Sequence, residues 1–271
     1  MRLESDRVEI LSGVRFGLTL GSPIALVIRN KDSQNWLERM AVESDGKGVE
    51  KITVPRPGHG DFVGYMKYRY DDVRNAIERA SARETAMRVA CCTVARKFLE
   101  QFGMFIGSHV SSIGQAALRD SSRVNTLIAK YLKASCGAYK VTEEADKSQV
   151  RMLDKKTEQR AVTEIRKAKK MGDTLGGVFE VLGTGFPIGL GSYVHYDRKL
   201  DGQLAQAVMS IHAVKGVEIG NGFANARQHG SLVHDAFTVS KGKIGRKTNR
   251  AGGLEGGVTN GEMLILHAAM K

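Results

Sequence analysis

Three cysteines among 271 residues, two of them adjacent, leave little material for disulfides or thiolate metal sites. Cys91 and Cys92 are neighbours in a helical pattern, Cys136 stands alone, and no Cys-x-x-Cys occurs. All three are expected as small core residues in a reducing compartment. His109, His195, His229, His234 and His267 are scattered without metal-ligand spacing, so no metal is expected. No Gly-x-Ser-x-Gly is present, which removes the usual serine hydrolase. No apolar run approaches the length needed to span a bilayer, and Met1 opens a charged segment unlike a signal peptide. A soluble, cytoplasmic protein with no membrane partner is expected. Proline is scarce at 4 against 31 glycines, which points to many tight turns and places where backbone approaches a ligand.

What the chain has in excess is positive charge, a net +12. Such a balance predicts anionic partners. Its densest run, Arg166-Lys167-Ala168-Lys169-Lys170, reads as the solvated face of a helix. The remaining Arg and Lys are spread among Gly-rich turns, which fits a phosphate-binding pocket better than a nucleic-acid track.

Strand-like segments at 8–11 and 24–28 open the chain. Residues 30–51 read as a surface loop with some helix, anchored by Trp36 and Leu37. One helix is expected over 71–102, with Ala86, Val89, Ala90, Val94 and Phe98 as its apolar stripe. Ser81 and Glu84 have the capping-box spacing. A strand is expected over 104–113, and a charged helical insertion lying outside the core over about 120–170. Strands and turns follow over 176–194. A helix over about 200–213, a strand at 217–219, Gly- and Asn-rich turns over 220–261 and a strand over 263–270 complete the pattern. Most strand connections look like hairpins, so the expected class is α+β. Gly183-Thr184-Gly185-Phe186-Pro187-Ile188-Gly189 mimics a dinucleotide fingerprint, but its spacing and Pro187 make it a turn.

Four segments can carry chemistry. Arg56-Pro57-Gly58-His59-Gly60-Asp61 joins a guanidinium fork to a histidine that titrates near neutrality. Glu78-Arg79-Ala80-Ser81-Ala82-Arg83-Glu84-Thr85 places two arginines about one turn apart at a possible helix start, where an anion is favoured. Ile211-His212-Ala213-Val214-Lys215-Gly216 turns from helix to strand. Gly252 to Gly261 is a Gly-rich loop. Taken singly, each also fits an ordinary turn or capped helix.

Together and in this order, the four segments resemble chorismate synthase. RPGHGD is similar to that family's Arg-Pro-Gly-His-Ala-Asp box, with Gly60 in place of the usual Ala. KYRYDDVRNAIERASARETAMRVA, GSYVHYDRKLDGQLAQAVMSIHAVKGVEIG and GGLEGGVTNGE are similar to three further blocks. His212 departs from the residue that many members carry. The resemblance implies a single α+β domain over residues 1–271 with helices packed between antiparallel sheets, a β-α-β sandwich. It implies anti-1,4-elimination of phosphate from 5-enolpyruvylshikimate 3-phosphate to give chorismate, with reduced FMN. By resemblance, His59 stands beside the flavin ring as the catalytic histidine, a protonated partner to reduced FMN, and Arg56 and Arg83 bind substrate. Arg79, Ala80, Ser81, His212, Ala213, Gly256 and Lys271 bind FMN. The resemblance also implies a homotetramer, and leaves open whether NADPH is the reductant. Members begin before the point matching Met1 with a Gly-Glu-Ser-His-Gly box and continue past Lys271. The chain is therefore expected to be truncated at both ends and to bind FMN poorly. A non-catalytic fragment and a basic nucleic-acid-binding protein are the alternatives.

Overall fold

The computed structural model describes residues 6–118, 121–240 and 242–271; the side chains of 121–123 and 243 are excluded. The chain divides into two compact units, Met1–Val94 and Ala95–Lys271.

In the first unit, β1 (Val8–Ser12) is followed by the short pair β2 (Val14–Arg15) and β3 (Leu18–Thr19), then by β4 (Ala25–Ile28). β1 and β4 pair antiparallel, Val8 opposite Ile28, with an irregularity between Ile10 and Ser12. A 3-10 turn, Lys31–Trp36, is capped by the Asn30 side chain. Trp36 is half-buried under the Arg74 guanidinium, 5.1 Å from its ring centre, and its indole N–H donates to Asp32 at 2.6 Å. Leu37, expected as a second anchor, is exposed.

Helices α1 (Asp61–Tyr68), α2 (Arg74–Arg79) and α3 (Glu84–Glu100) follow, the last running past Val94 into the second unit. The single helix expected over 71–102 is thus two, broken at Ala80–Arg83. The Ser81 hydroxyl accepts from the Arg83 backbone N–H at 3.2 Å, a local bond that competes with helix continuation. The Glu84 carboxylate takes Arg88 instead, at 3.0 Å. The stripe on α3 is also only partly covered. Ala90 is buried, whereas Val89 and Phe98 are 67% and 64% exposed. Ala86, Val89, Ala90 and Val94 face Val8, Ile10, Leu26 and Ile28 across an open groove of about 960 Å³. Cys91 and Cys92, expected in the core, are exposed on this helix.

The second unit is built on a five-stranded sheet. Its elements are β5 (Phe105–Ile113), β6 (Ala116–Ala117), α4 (Ser121–Tyr131), α5 (Tyr139–Ala145), α6 (Lys155–Met171), β7 (Gly177–Thr184) and α7 (Leu200–Met209). There follow β8 (Val214–Ile219), α8 (Gly222–Asn225), α9 (Gly230–Val233), β9 (Phe237–Ser240), β10 (Lys243–Arg246), β11 (Leu254–Glu255), β12 (Val258–Thr259) and β13 (Leu264–Met270). The strand order is β6-β5-β7-β13-β8, with every neighbour antiparallel. Alternation along β13 sends successive side chains to opposite faces. Leu264 and Leu266 pack with Leu254 and with Leu200, Leu204 and Val208 around α7. Ile265 packs with Leu182, Val124, Ile128, Ala138 and Val141.

The segment 120–170, expected outside the core, therefore supplies much of it through α4 and α5. On α6, Ala161 packs with Ala116 and Met152, while Arg166, Lys167, Lys169 and Lys170 stay exposed as expected. On α6 the lysines and arginines lie on the outer face, and the buried positions are Thr157, Glu158, Ala161 and Ala168. The mixed helices and antiparallel strands match the expected α+β class. α7 stops at Met209, four residues short of the expected end, and Ala213 then turns into the left-handed region (φ +67°) ahead of β8.

Candidate functional site

In the first unit the Arg56–Asp61 loop runs into α1. Gly58 takes φ +74°, a conformation that favours glycine. His59 is exposed, and its Nδ1 lies 2.9 Å from the Pro57 carbonyl. A carbonyl only accepts, so Nδ1 carries the hydrogen and Nε2 is left for a ligand. The Arg56 guanidinium is held by the fully buried Asp61 carboxylate: Nε to Oδ2 at 2.8 Å and Nη2 to Oδ1 at 3.0 Å. The Arg56 backbone N–H also donates to Oδ2 at 3.0 Å. These bonds to Arg56 pull the Asp61 carboxyl down to about 2, against the cost of burial.

The second candidate segment comes up against this loop. A Cβ on Gly60 would lie 3.2 Å from the Ala80 Cβ, so the loop and the break between α2 and α3 are in contact. Arg79 and Ala80 are exposed and Ser81 is half-buried. Arg83 is half-buried and donates to Asp6 through Nη2 at 2.8 Å and Nη1 at 3.3 Å. The first unit thus carries an imidazole, three guanidiniums and a hydroxyl on two touching turns.

In the second unit, Ala213 and Lys271 come together. The Lys271 backbone N–H donates to the Ala213 carbonyl at 3.0 Å, and its ammonium reaches the Thr174 carbonyl at 3.0 Å. His212 is half-buried in the same turn. Gly256 (φ +61°) tips the β11–β12 hairpin, whose Gly257 carbonyl accepts from Leu200 N–H at the opposite end of α7. Ten residues of helix, about 15 Å, separate that hairpin from the His212 turn.

Sequence reading passed over the residues that hold these segments. Asp61 closes the Arg56–Asp61 segment, and its grip on the Arg56 guanidinium has no local sequence signal. Asn249 ties the Gly-rich loop down, donating to the Met263 carbonyl at 2.7 Å and accepting from Gly253 N–H at 2.8 Å. Asp235 does likewise, accepting from Thr248 at 2.5 Å, Arg250 N–H at 2.8 Å and Ala251 N–H at 2.9 Å. His109 and His267, dismissed as scattered, share Glu180 across β5, β7 and β13 at 2.5 and 3.2 Å. Among the described residues, no group of three or more His, Cys, Asp or Glu is placed to hold a metal ion. No helix among them is long and apolar enough to cross a membrane.

The chorismate synthase family model matches residues 1–271. Chorismate synthase of Chloroherpeton thalassium is 55% identical over 273 residues, covering all of this chain and 68% of that protein. That of Chlorobium phaeovibrioides is 53% identical, with the same shares. A solved chorismate synthase crystal structure superposes with a TM-score of 0.81 at 44% identity, over 98% of this chain and 71% of the other. On the match along its whole length, the chain belongs to the chorismate synthase family.

Proposed function

We propose that the chain performs the family's reaction, anti-1,4-elimination of phosphate from 5-enolpyruvylshikimate 3-phosphate to chorismate, with reduced FMN as cofactor. The observation that carries this reading is the contact between the His59 loop and the Ala80 turn. It brings the turn that carries Arg56 and His59 against the one that carries Arg79 and Arg83, and guanidiniums and an imidazole are the donors that a substrate with two carboxylates and a phosphate needs. In this reading Arg56 and Arg83 bind the substrate's anionic groups. Charged guanidiniums stabilise the negative charge that gathers on the departing phosphate. His59 carries a proton at Nδ1 and turns Nε2 towards the flavin.

The donor chemistry of the turn fits FMN. Arg79 is exposed and cationic, and Ser81 offers a hydroxyl at the same turn. Arg79, Ala80 and Ser81 of the first unit and, separately, His212, Ala213, Gly256 and Lys271 of the second are the residues assigned to FMN in this reading. When bound, reduced FMN supplies electron density as the C–O bond to phosphate breaks. NADPH is the proposed reductant. Large apolar side chains left exposed, including Val89, Phe98, Phe237, Val239 and Ile244, support assembly into a homotetramer. The enzyme is assigned to the cytoplasm.

The test is turnover with FMN and a reductant. His59→Ala is expected to slow it about 100-fold or more, within the usual range for a lost acid–base group, at unchanged melting temperature. Unchanged turnover in a folded variant would remove His59 from the mechanism.

A further inference from the structure

Asp61 is the first residue of α1 and is fully buried. An acid at that position ordinarily serves the helix, accepting from its free N–H groups. Asp61 does not: its hydrogen bonds all come from Arg56, at backbone N, Nε and Nη2. A buried carboxylate is costly unless paired, so the helix start alone does not account for it. Its pairing uses one edge of the guanidinium. The other edge, Nη1 with the second Nη2 hydrogen, has no partner among the described residues, and the Arg56 side chain is 49% exposed.

We propose that Asp61 is a positioning residue, which clamps Arg56 through its Nε/Nη2 edge so that the Nη1/Nη2 edge is aimed at an oxyanion of the bound substrate. This rests on the reading of Arg56 as a substrate-binding residue. A free arginine samples many rotamers and loses that freedom when it binds. An arginine fixed beforehand has lost it already, and its fork meets a carboxylate or phosphate in register. Two geometric details agree with this role. The backbone N–H of Arg56 is held by the same carboxylate as its side chain, so the base and tip of the arginine are fixed together. The clamp also spans Pro57 to Gly60 and so closes the loop that carries His59.

The experiment compares Asp61→Asn, Asp61→Glu, Arg56→Ala and the double variant Asp61→Asn/Arg56→Ala. Affinity for 5-enolpyruvylshikimate 3-phosphate is measured by calorimetry on FMN-loaded protein, and FMN affinity by quenching of flavin fluorescence. Asp61→Asn is expected to weaken substrate binding about tenfold or more, as one mis-aimed charged hydrogen bond does, with FMN affinity unchanged. Asp61→Glu moves the carboxylate by one methylene and gives an intermediate loss; it carries the test if the Asn variant does not fold. On the Arg56→Ala background, Asp61→Asn adds nothing to the loss of substrate affinity. Unchanged substrate affinity in both Asp61 variants overturns the proposal. So does an equal loss on the Arg56→Ala background, or a fall in FMN affinity in step with substrate, since each marks a purely structural role. If Arg56→Ala itself leaves substrate affinity unchanged, the reading of Arg56 falls and the proposal with it. Weakened binding in Arg56→Ala beside neutral Asp61 variants removes only the proposal.

Discussion

Leu182→Ala tests whether the segment expected as a peripheral insertion is part of the core. Leu182 is 1% exposed on β7 and packs against Val124 and Ile128 of α4, Ala138 before α5 and Val141 within it. Truncating a buried leucine costs about 2–5 kcal/mol, the upper end applying where the void stays empty. Here the void opens onto a cavity of about 620 Å³ lined by Leu182 together with His109, Glu180, Asn249 and His267. The space is lined by both polar and apolar side chains and is wide enough for water, which places the loss in the middle of that range, at about 3 kcal/mol. For a unit of this size that lowers the melting temperature by about 6–12 °C. The readout is far-UV circular dichroism, because Trp36, the one tryptophan, lies in the first unit. Met171→Ala, at an exposed site on α6, is the control and is expected within about 0.5 kcal/mol of the parent. A loss below about 1 kcal/mol for Leu182→Ala would refute the packing of α4 and α5 against the sheet.

Asp61, held at about 2 in the folded chain against an ordinary 3.8, contributes stability that is fully present above about pH 4 and fades as pH falls through about 2. The melting-temperature gap between the parent and Asp61→Asn is therefore expected to narrow as pH is lowered into that window; a constant gap contradicts it. Gly220 takes φ +55°, and a Cβ there would lie 2.3 Å from the Arg250 carbonyl and 2.5 Å from Gly252 N. Gly220→Ala is expected to cost more than about 3 kcal/mol, combining backbone strain with overpacking. Gly17→Ala, at φ +78° with nothing within 4 Å, carries the strain alone, about 1–2 kcal/mol. Equal thermal shifts for the two glycine variants would remove the steric part of this argument.

The parts of the fold legible in the sequence were those set by local pattern. The strands around Ile10 and Val27, the core face of α7 at Leu204 and Val208, and the alternating β13 all follow from periodicity. The break at Ala80–Arg83 was not legible, because Ala, Ser and Arg are all tolerated in a helix. Its physical setting is the Ser81 hydroxyl bond and the abutting Gly60 loop. The role of 120–170 was hidden by its charges, although Val124 and Ile128 stand at helical spacing. Of the candidate site, the residue types were readable and their partners were not. Arg83 meets Asp6 across 77 residues, a pairing that no local spacing announces. Asp61 was visible five residues from Arg56, but only geometry shows it turned away from its own helix.

The place of β13 in its sheet also governs how that unit comes together. This strand lies between β7 and β8, and His267 stands opposite Glu180, 87 residues earlier in the chain. Until β13 arrives, β8 has no strand partner among the described residues and β7 keeps one edge open. The entropy of closing that long loop is met before its hydrogen bonds form, which slows assembly. Ribosomal synthesis delivers β5, β7 and β8 first, so during that interval their bare edges are templates for pairing with other chains. The strand that joins β7 to β8 is thus also the one that covers those two edges against misassembly.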